Sequence, residues 1–133
     1  MQDLGKTILV VDDEAVVRDL IANYLTKLGY KVVEAVDGTE ALAVYDQLEQ
    51  PLTVLVTDIV MPNLGGLELA QTLRERQEDL RVLFVSSYPD KKLGDDESQN
   101  PHSGYLAKPF SLRNFASAVS NLIQAGSGTE RAG

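Results

Sequence analysis

Short apolar runs alternate with amphipathic segments along this chain. Residues 7–11 are apolar or β-branched throughout, and from Val16 to Leu28 apolar residues recur at helical spacing. A run without polar interruption is typical of a strand that is buried on both faces of a parallel sheet. Gly29 is expected to end the first helix. The pattern therefore begins with a buried strand followed by a helix.

The same alternation continues through the rest of the chain. Four further segments have strand character, namely residues 30–35, 52–57, 81–85 and 105–107. We expect three more helices between or after them, one capped by Thr39, one after Gly65-Gly66 and one capped by Ser111. Because strands and helices alternate five times, the sequence predicts an α/β fold with a five-stranded parallel sheet and helices on both faces.

Two segments depart from this alternation. Residues 89–103 are polar, contain two prolines and have Leu93 as their only strongly apolar residue, so a helix there is expected to be short or irregular. From Gly126 onward the residues are small and polar, which predicts a flexible C-terminal tail over residues 126–133. We expect a single domain over residues 1–125.

Composition and charge narrow the classes of function. The net charge of −8 argues against direct nucleic-acid binding, which needs clustered Lys and Arg. The chain contains no cysteine, which excludes disulfides and thiol chemistry. No apolar stretch approaches the roughly 20 residues of a membrane-spanning helix, and the N-terminus lacks a signal-peptide pattern. We therefore expect a cytoplasmic protein without membrane insertion.

Polar residues suited to phosphate or a hard metal ion follow the ends of four predicted strands. They are Asp12 and Asp13, Asp58, Ser86, and Lys108. Because the carboxyl ends of parallel strands lie side by side, these side chains are expected to converge where open α/β sheets bind ligands. Carboxylates without nearby His or Cys favour Mg²⁺ over zinc or copper. The sequence thus predicts a magnesium and phosphoryl site.

The three kinds of polar group suggest different roles at such a site. Asp58, at the end of the central strand, can act as a nucleophile on phosphorus and form an acyl phosphate. Lys108 supplies a positive charge for phosphoryl oxygens, and a cis bond to Pro109 is one way to aim it inward. Ser86 offers a hydroxyl, which alone is a weak signal.

Four motifs together resemble the receiver domain of two-component response regulators: TILVVDDE, VLVTDIVMPNLGGLEL, VLFVSS and GYLAKPFSL. The resemblance covers residues 6–124. It implies a flavodoxin-like, doubly wound sheet with strand order 2-1-3-4-5, an order known for chemotaxis receivers. Similar motifs occur in the receiver modules of hybrid histidine kinases, so both a stand-alone regulator and such a module are compatible with the sequence.

The resemblance also implies a function and roles for individual residues. Asp58 would accept a phosphoryl group from the phosphohistidine of a histidine kinase. The implied Mg²⁺ ligands are Asp12, Asp13, Asp58 and the carbonyl oxygen of Val60. Ser86 and Lys108 would hold the phosphoryl oxygens, and Tyr105 would be the aromatic switch residue. The implied partners are a kinase or phosphotransfer protein, and a downstream protein or attached kinase domains that respond to, or receive, the phosphate.

Two rival functions fit the residues less well. A phosphatase with an aspartyl nucleophile usually needs a second acid shortly after it, where Val60 stands here. A flavodoxin-like ligand binder needs a glycine-rich loop after the first strand, where this chain is acidic.

His102, the only histidine, follows Asn100-Pro101 and is not expected to be phosphorylated. The resemblance implies that Val60 and Tyr88, two places after Asp58 and Ser86, flank the path of the hydrolytic water. One is apolar and the other bulky, so self-dephosphorylation is expected to be slow.

Overall fold

Five parallel strands form one sheet in the computed structural model, which describes residues 6–87 and 99–132. The strands are β1 Thr7–Val11, β2 Lys31–Ala35, β3 Val54–Asp58, β4 Arg81–Ser86 and β5 Ser103–Ala107. Their order is β2-β1-β3-β4-β5, with every neighbouring pair parallel. The predicted sheet and strand order are confirmed.

Four helices are present in the described part of the chain: α1 Ala15–Lys27, α2 Gly38–Asp46, α3 Gly66–Arg74 and α4 Leu112–Ala132. The short or irregular helix that we expected within residues 89–103 falls largely on residues 88–98, which lie outside the described residues. Helix α4 continues to Ala132, past the expected domain end at residue 125. That boundary and the flexible tail remain predictions.

The start of α2 corrects one expectation. Asp37, not Thr39, is the N-cap, and its Oδ1 accepts a hydrogen bond of 2.9 Å from the amide of Glu40. The helix therefore begins two residues earlier than Thr39 would allow. Ser111 does cap α4, since its hydroxyl accepts a bond of 3.0 Å from the amide of Asn114. Gly29 follows α1 with a φ of 104°, a conformation that glycine adopts without strain.

Alternate residues of each strand supply two apolar layers, one on each face of the sheet. Helices α2 and α3 cover the layer that contains Leu9, Leu55 and Phe84. Helices α1 and α4 cover the layer that contains Ile8, Val10 and Val56. Helix α1 has more apolar positions than this layer buries. Its inner face is Ile21, Ala22 and Leu25, whereas Val16 is 81% exposed and Leu20 is 51% exposed.

Candidate functional site

Two carboxylates are buried at the carboxyl ends of neighbouring strands. Asp12 directly follows β1 and Asp58 ends β3, and their residues are 1% and 6% exposed. The amide of Asp12 donates to the carbonyl of Ala35, and its carbonyl accepts a bond of 2.7 Å from Nη1 of Arg18. The backbone of Asp12 is thus held by both β2 and α1. The sheet brings the two acids together as predicted.

Lys108 connects these acids. Its Nζ lies 2.9 Å from Oδ2 of Asp12, 3.2 Å from Oδ2 of Asp58 and 3.3 Å from Oε1 of Glu14. Its backbone amide donates to the carbonyl of Ser86 over 2.8 Å, which continues the pairing of β4 with β5. The Lys108–Pro109 peptide bond is cis, as considered from the sequence.

The electrostatics of this cluster follow from burial and from the lysine. Burial raises the pKa of the Asp58 carboxyl above its ordinary value, although the nearby ammonium of Lys108 acts in the opposite direction. Burial alone would lower the pKa of Lys108, but its hydrogen bond and ion pair with Asp12, together with Asp58, raise that pKa above its ordinary value. The ammonium therefore stays charged and neutralises part of the acidic cluster.

Three carboxylates of the described residues can hold a metal ion together. Single oxygens of Asp12, Glu14 and Asp58 all lie within 4.8 Å of one another. A donor set of carboxylate oxygens, without nitrogen or sulfur, fits a hard dication such as Mg²⁺. The predicted ligand Asp13 is exposed and is not a member of this group.

Glu14 is the member that the sequence did not identify. Its amide donates to Oδ1 of Asp12 over 2.9 Å, and this tight turn places its side chain near Lys108. Glu14 is also the N-cap residue of α1. The sequence did carry a signal for Glu14, because this acid stands two places after Asp12 and directly before a predicted helix.

The remaining predicted residues surround the acids. The amide of Val60 donates to Oδ1 of Asp58 over 3.3 Å, which places the main chain of Val60 beside that carboxylate. Ser86 is 1% exposed at the end of β4, next to β3 in the sheet. Tyr105, the predicted switch residue, is 38% exposed on β5. Tyr88, expected to flank the site, lies outside the described residues.

An apolar groove opens beside Lys108. Its volume is about 510 Å³, and it is lined by Val17, Leu20, Ser87, Lys108, Pro109 and Phe110. The exposed side of α1 forms one wall and the segment after β5 forms the other. The groove is therefore continuous with Lys108, which contacts all three acids of the cluster.

In the part of the chain that is described, no helix is long and apolar enough to span a bilayer.

Comparison with known proteins gives one consistent family. Residues 8–120 match the response regulator receiver domain. The response regulator receiver protein CpdR of Brucella abortus is 33% identical over 119 residues, which cover 89% of this chain and 97% of that protein. The sensor kinase CckA of the same organism is 35% identical over 118 residues, but the chain covers only 12% of its length.

Solved structures agree with the sequence matches. The receiver domain of the hybrid histidine kinase CckA superposes with a TM-score of 0.74 and 30% identity, covering 88% of this chain and 98% of that one. The response regulator TrrA of Thermotoga maritima, in complex with Mg²⁺-BeF, gives a TM-score of 0.75 and 29% identity over 88% of this chain and 98% of its own.

Proposed function

Because this chain belongs to the response regulator receiver family and is thus a phosphorylatable signalling switch, we propose that Asp58 is its phosphoacceptor. The observation that carries the assignment is the contact of 3.2 Å between Lys108 Nζ and a buried Asp58 carboxylate at the end of the central strand. A nucleophilic oxygen and a fixed positive charge beside it are what phosphoryl transfer requires.

The transfer itself is a substitution at phosphorus. An Asp58 carboxylate oxygen attacks the phosphorus of a phosphohistidine, the new O–P bond forms, and the N–P bond breaks with the electron pair returning to the imidazole. Because the ammonium of Lys108 already contacts the Asp58 carboxylate, it is close enough to bind an oxygen of the phosphoryl group transferred to Asp58. The Ser86 hydroxyl, at the end of the adjacent strand, is proposed to hold another phosphoryl oxygen. Tyr105 is the proposed switch residue, which moves inward when Ser86 does.

Mg²⁺ is the proposed cofactor. Asp12 and Asp58 are buried acids with oxygens suitably close, Glu14 adds a third carboxylate, and the carbonyl of Val60 is the proposed main-chain ligand. Asp13, which the resemblance implies as a ligand, is exposed and is retained as a proposed ligand beside these groups. When bound, the ion would offset the negative charge of the acids and of the incoming phosphoryl group.

The phosphodonor is proposed to dock in the apolar groove beside Lys108. Receiver domains interact with histidine kinases or phosphotransfer proteins, and a helix of such a donor has to bring its histidine next to Asp58. On α1, Val17 and Leu20 line the groove, and Leu20 is 51% exposed. The proposed location of this reaction is the cytoplasm. Output through a downstream protein, or through attached kinase domains, is likewise proposed.

Acetyl phosphate with Mg²⁺ tests the assignment of Asp58. Intact-mass measurement should find one added phosphoryl group on the wild type and none on Asp58→Asn. Asp46→Asn is a matched control, because Asp46 pairs with Arg76 on the surface, away from the acidic cluster. Equal labelling of the wild type and Asp58→Asn would refute the assignment.

The docking proposal has a separate test. Leu20→Arg should slow labelling by any histidine kinase that phosphorylates the wild type, while labelling by acetyl phosphate stays unchanged. Val36→Arg is the control, since Val36 is also an exposed apolar residue, at 42%, but does not line the groove. If both variants are labelled by the kinase as fast as the wild type, the groove is not the docking site.

Slow self-dephosphorylation is proposed from Val60. This side chain is 42% exposed and apolar, so it has no group with which to orient an attacking water molecule. Val60→Glu should shorten the lifetime of the acyl phosphate, whereas Val36→Glu should not. The measurement is loss of the phosphoryl mass after the donor is removed, and an unchanged lifetime in Val60→Glu would exclude this position from hydrolysis.

A further inference from the structure

The loop that follows Asp58 is joined to the start of α2 by a partly buried hydrogen bond. Nδ2 of Asn63 donates to Oδ2 of Asp37 over 2.7 Å, across a sequence separation of 26 residues. The other oxygen of Asp37 already caps α2 by accepting from the amide of Glu40. One carboxylate therefore serves the helix and the loop at the same time.

Backbone contacts at the same place show how closely the two segments approach. The amide of Gly38 donates to the carbonyl of Leu64 over 3.2 Å. A Cβ at Gly38 would lie 2.5 Å from that oxygen and 2.7 Å from the Cβ of Leu64, so only glycine fits there. Asn63 has a φ of 70°, the left-handed conformation that asparagine tolerates better than most residues.

The opposite end of this loop is closed against Asp58. The amide of Gly66 donates to the carbonyl of Ile59 over 2.9 Å. A Cβ at Gly66 would lie 2.1 Å from the carbonyl oxygen of Asp58, so the start of α3 is in direct contact with the acceptor residue. Val60 lies between this closed base and the tip at Asn63. The position of its main chain thus depends on both attachments.

From these contacts we infer that Asp37 and Asn63 form a positioning pair for the phosphoacceptor site. Their hydrogen bond holds the tip of the loop, and thereby presents the main chain of Val60 to Asp58 and to a bound cation. This role rests on the proposed function. Neither residue touches the reacting atoms, so both act through the loop alone.

Asn63→Gly is the most direct test, because glycine keeps the left-handed backbone and removes only the side-chain donor. We expect Mg²⁺ affinity, measured by calorimetric titration, to fall about tenfold, as for other groups that orient metal ligands. In the metal-free protein, hydrogen exchange of the Val60 and Gly66 amides should become faster by about fivefold or more, the equivalent of one lost hydrogen bond.

Exchanging the two residues provides a rescue. In Asp37→Asn/Asn63→Asp the new amide can donate to the new carboxylate, and its carbonyl oxygen can still accept from the Glu40 amide. We expect this double variant to recover most of the Mg²⁺ affinity lost in Asn63→Gly. Failure of the exchange to recover it, with a wild-type circular dichroism spectrum, would contradict the pairing.

Tyr45→Phe is the matched control for general stability. Its hydroxyl donates to Oε1 of Gln77 over 2.9 Å and joins α2 to the residues after α3, at the opposite end of the same two helices. Mg²⁺ affinity should stay at the wild-type value in this variant. The inference is overturned if Asn63→Gly leaves both loop exchange and affinity unchanged, or if Tyr45→Phe weakens Mg²⁺ binding equally. Loop exchange without metal is decisive even where Asp58 proves not to be the phosphoacceptor.

Discussion

Asp37 and Asp58 are two nearly buried carboxylates at the carboxyl end of one sheet, and their surroundings affect them in opposite ways. Their residues are 9% and 6% exposed. Hydrogen bonds from the Glu40 amide and then from the Asn63 side chain lower the pKa of Asp37. Burial raises the pKa of Asp58 despite the ion pair with Lys108. At similar residue exposure, hydrogen bonds dominate the pKa shift of Asp37 and desolvation dominates that of Asp58, so one carboxylate favours folding and the other opposes it.

The two carboxylates also differ in the partners that they bind. Asp37 accepts from neutral N–H groups that belong to two segments of its own chain, and these bonds serve no other group. Asp58 shares the ammonium of Lys108 with Asp12 and Glu14. The ammonium of Lys108 can leave one of its carboxylates when a metal ion or phosphoryl group binds, because other carboxylates remain in contact with it. The hydrogen bonds of Asp37 cannot break without loosening the loop at Asn63. The first environment suits structure and the second suits ligand exchange.

Removing the shared cation should have the largest effect on stability. In the presence of a chelator, Lys108→Met leaves Asp12 and Asp58 as buried carboxylates without a counter-charge, which we expect to cost about 3 kcal/mol of unfolding free energy. Urea denaturation measures the loss. Lys31→Met removes an exposed lysine and serves as the control. A loss no greater than that of Lys31→Met would mean that Lys108 does not stabilise the acidic cluster.

Asp37→Ala should have the next largest effect. Loss of the helix cap and of the bond to Asn63 is expected to lower the unfolding free energy by about 1–2 kcal/mol. Because the pKa of Asp37 is lowered on folding, its contribution is fully present above the ordinary value of 3.8 and is lost as the pH falls through the lowered pKa. The difference in unfolding free energy between Asp37→Ala and the wild type, measured by urea denaturation, should therefore become smaller in acid.

Thr39→Ala is the matched control for that measurement. Thr39 is an exposed residue inside α2, although the sequence favoured it as the cap. Its replacement should change stability by no more than about 0.5 kcal/mol at any pH. If Thr39→Ala destabilises the protein as much as Asp37→Ala does, the capping geometry of α2 is wrong.

These residues also show what the sequence could and could not predict. The buried strands and the polar residues at their ends followed from uninterrupted apolar runs, because a parallel sheet buries both faces of its strands. The cap at Asp37 did not follow, since Asp37 and Thr39 are both good caps and the contact of Asp37 with Asn63, distant in the sequence, is not visible in the local pattern.

The acidic cluster illustrates the same limit. Asp13 and Glu14 are adjacent acids with similar chemistry, and a turn after Asp12 decides which side chain reaches Lys108. Periodicity alone also did not distinguish the buried Ile21 and Leu25 from the exposed Leu20, because the apolar stripe of α1 is wider than the surface that the sheet covers. Contacts between distant segments supply this information.

Asp58→Asn should have the smallest effect and the opposite sign. Because folding raises the pKa of Asp58, its carboxylate opposes folding at neutral pH, and this cost is relieved as the pH falls through the raised pKa toward 3.8. An uncharged amide avoids the cost, while Lys108 keeps its pairs with Asp12 and Glu14. We expect a gain on the order of 0.5 kcal/mol at neutral pH without metal, vanishing in acid. Plotted against pH from urea denaturation, the Asp58→Asn and Asp37→Ala curves should approach the wild type from opposite sides, and a neutral-pH loss of stability in Asp58→Asn would remove the contrast between the two carboxylates.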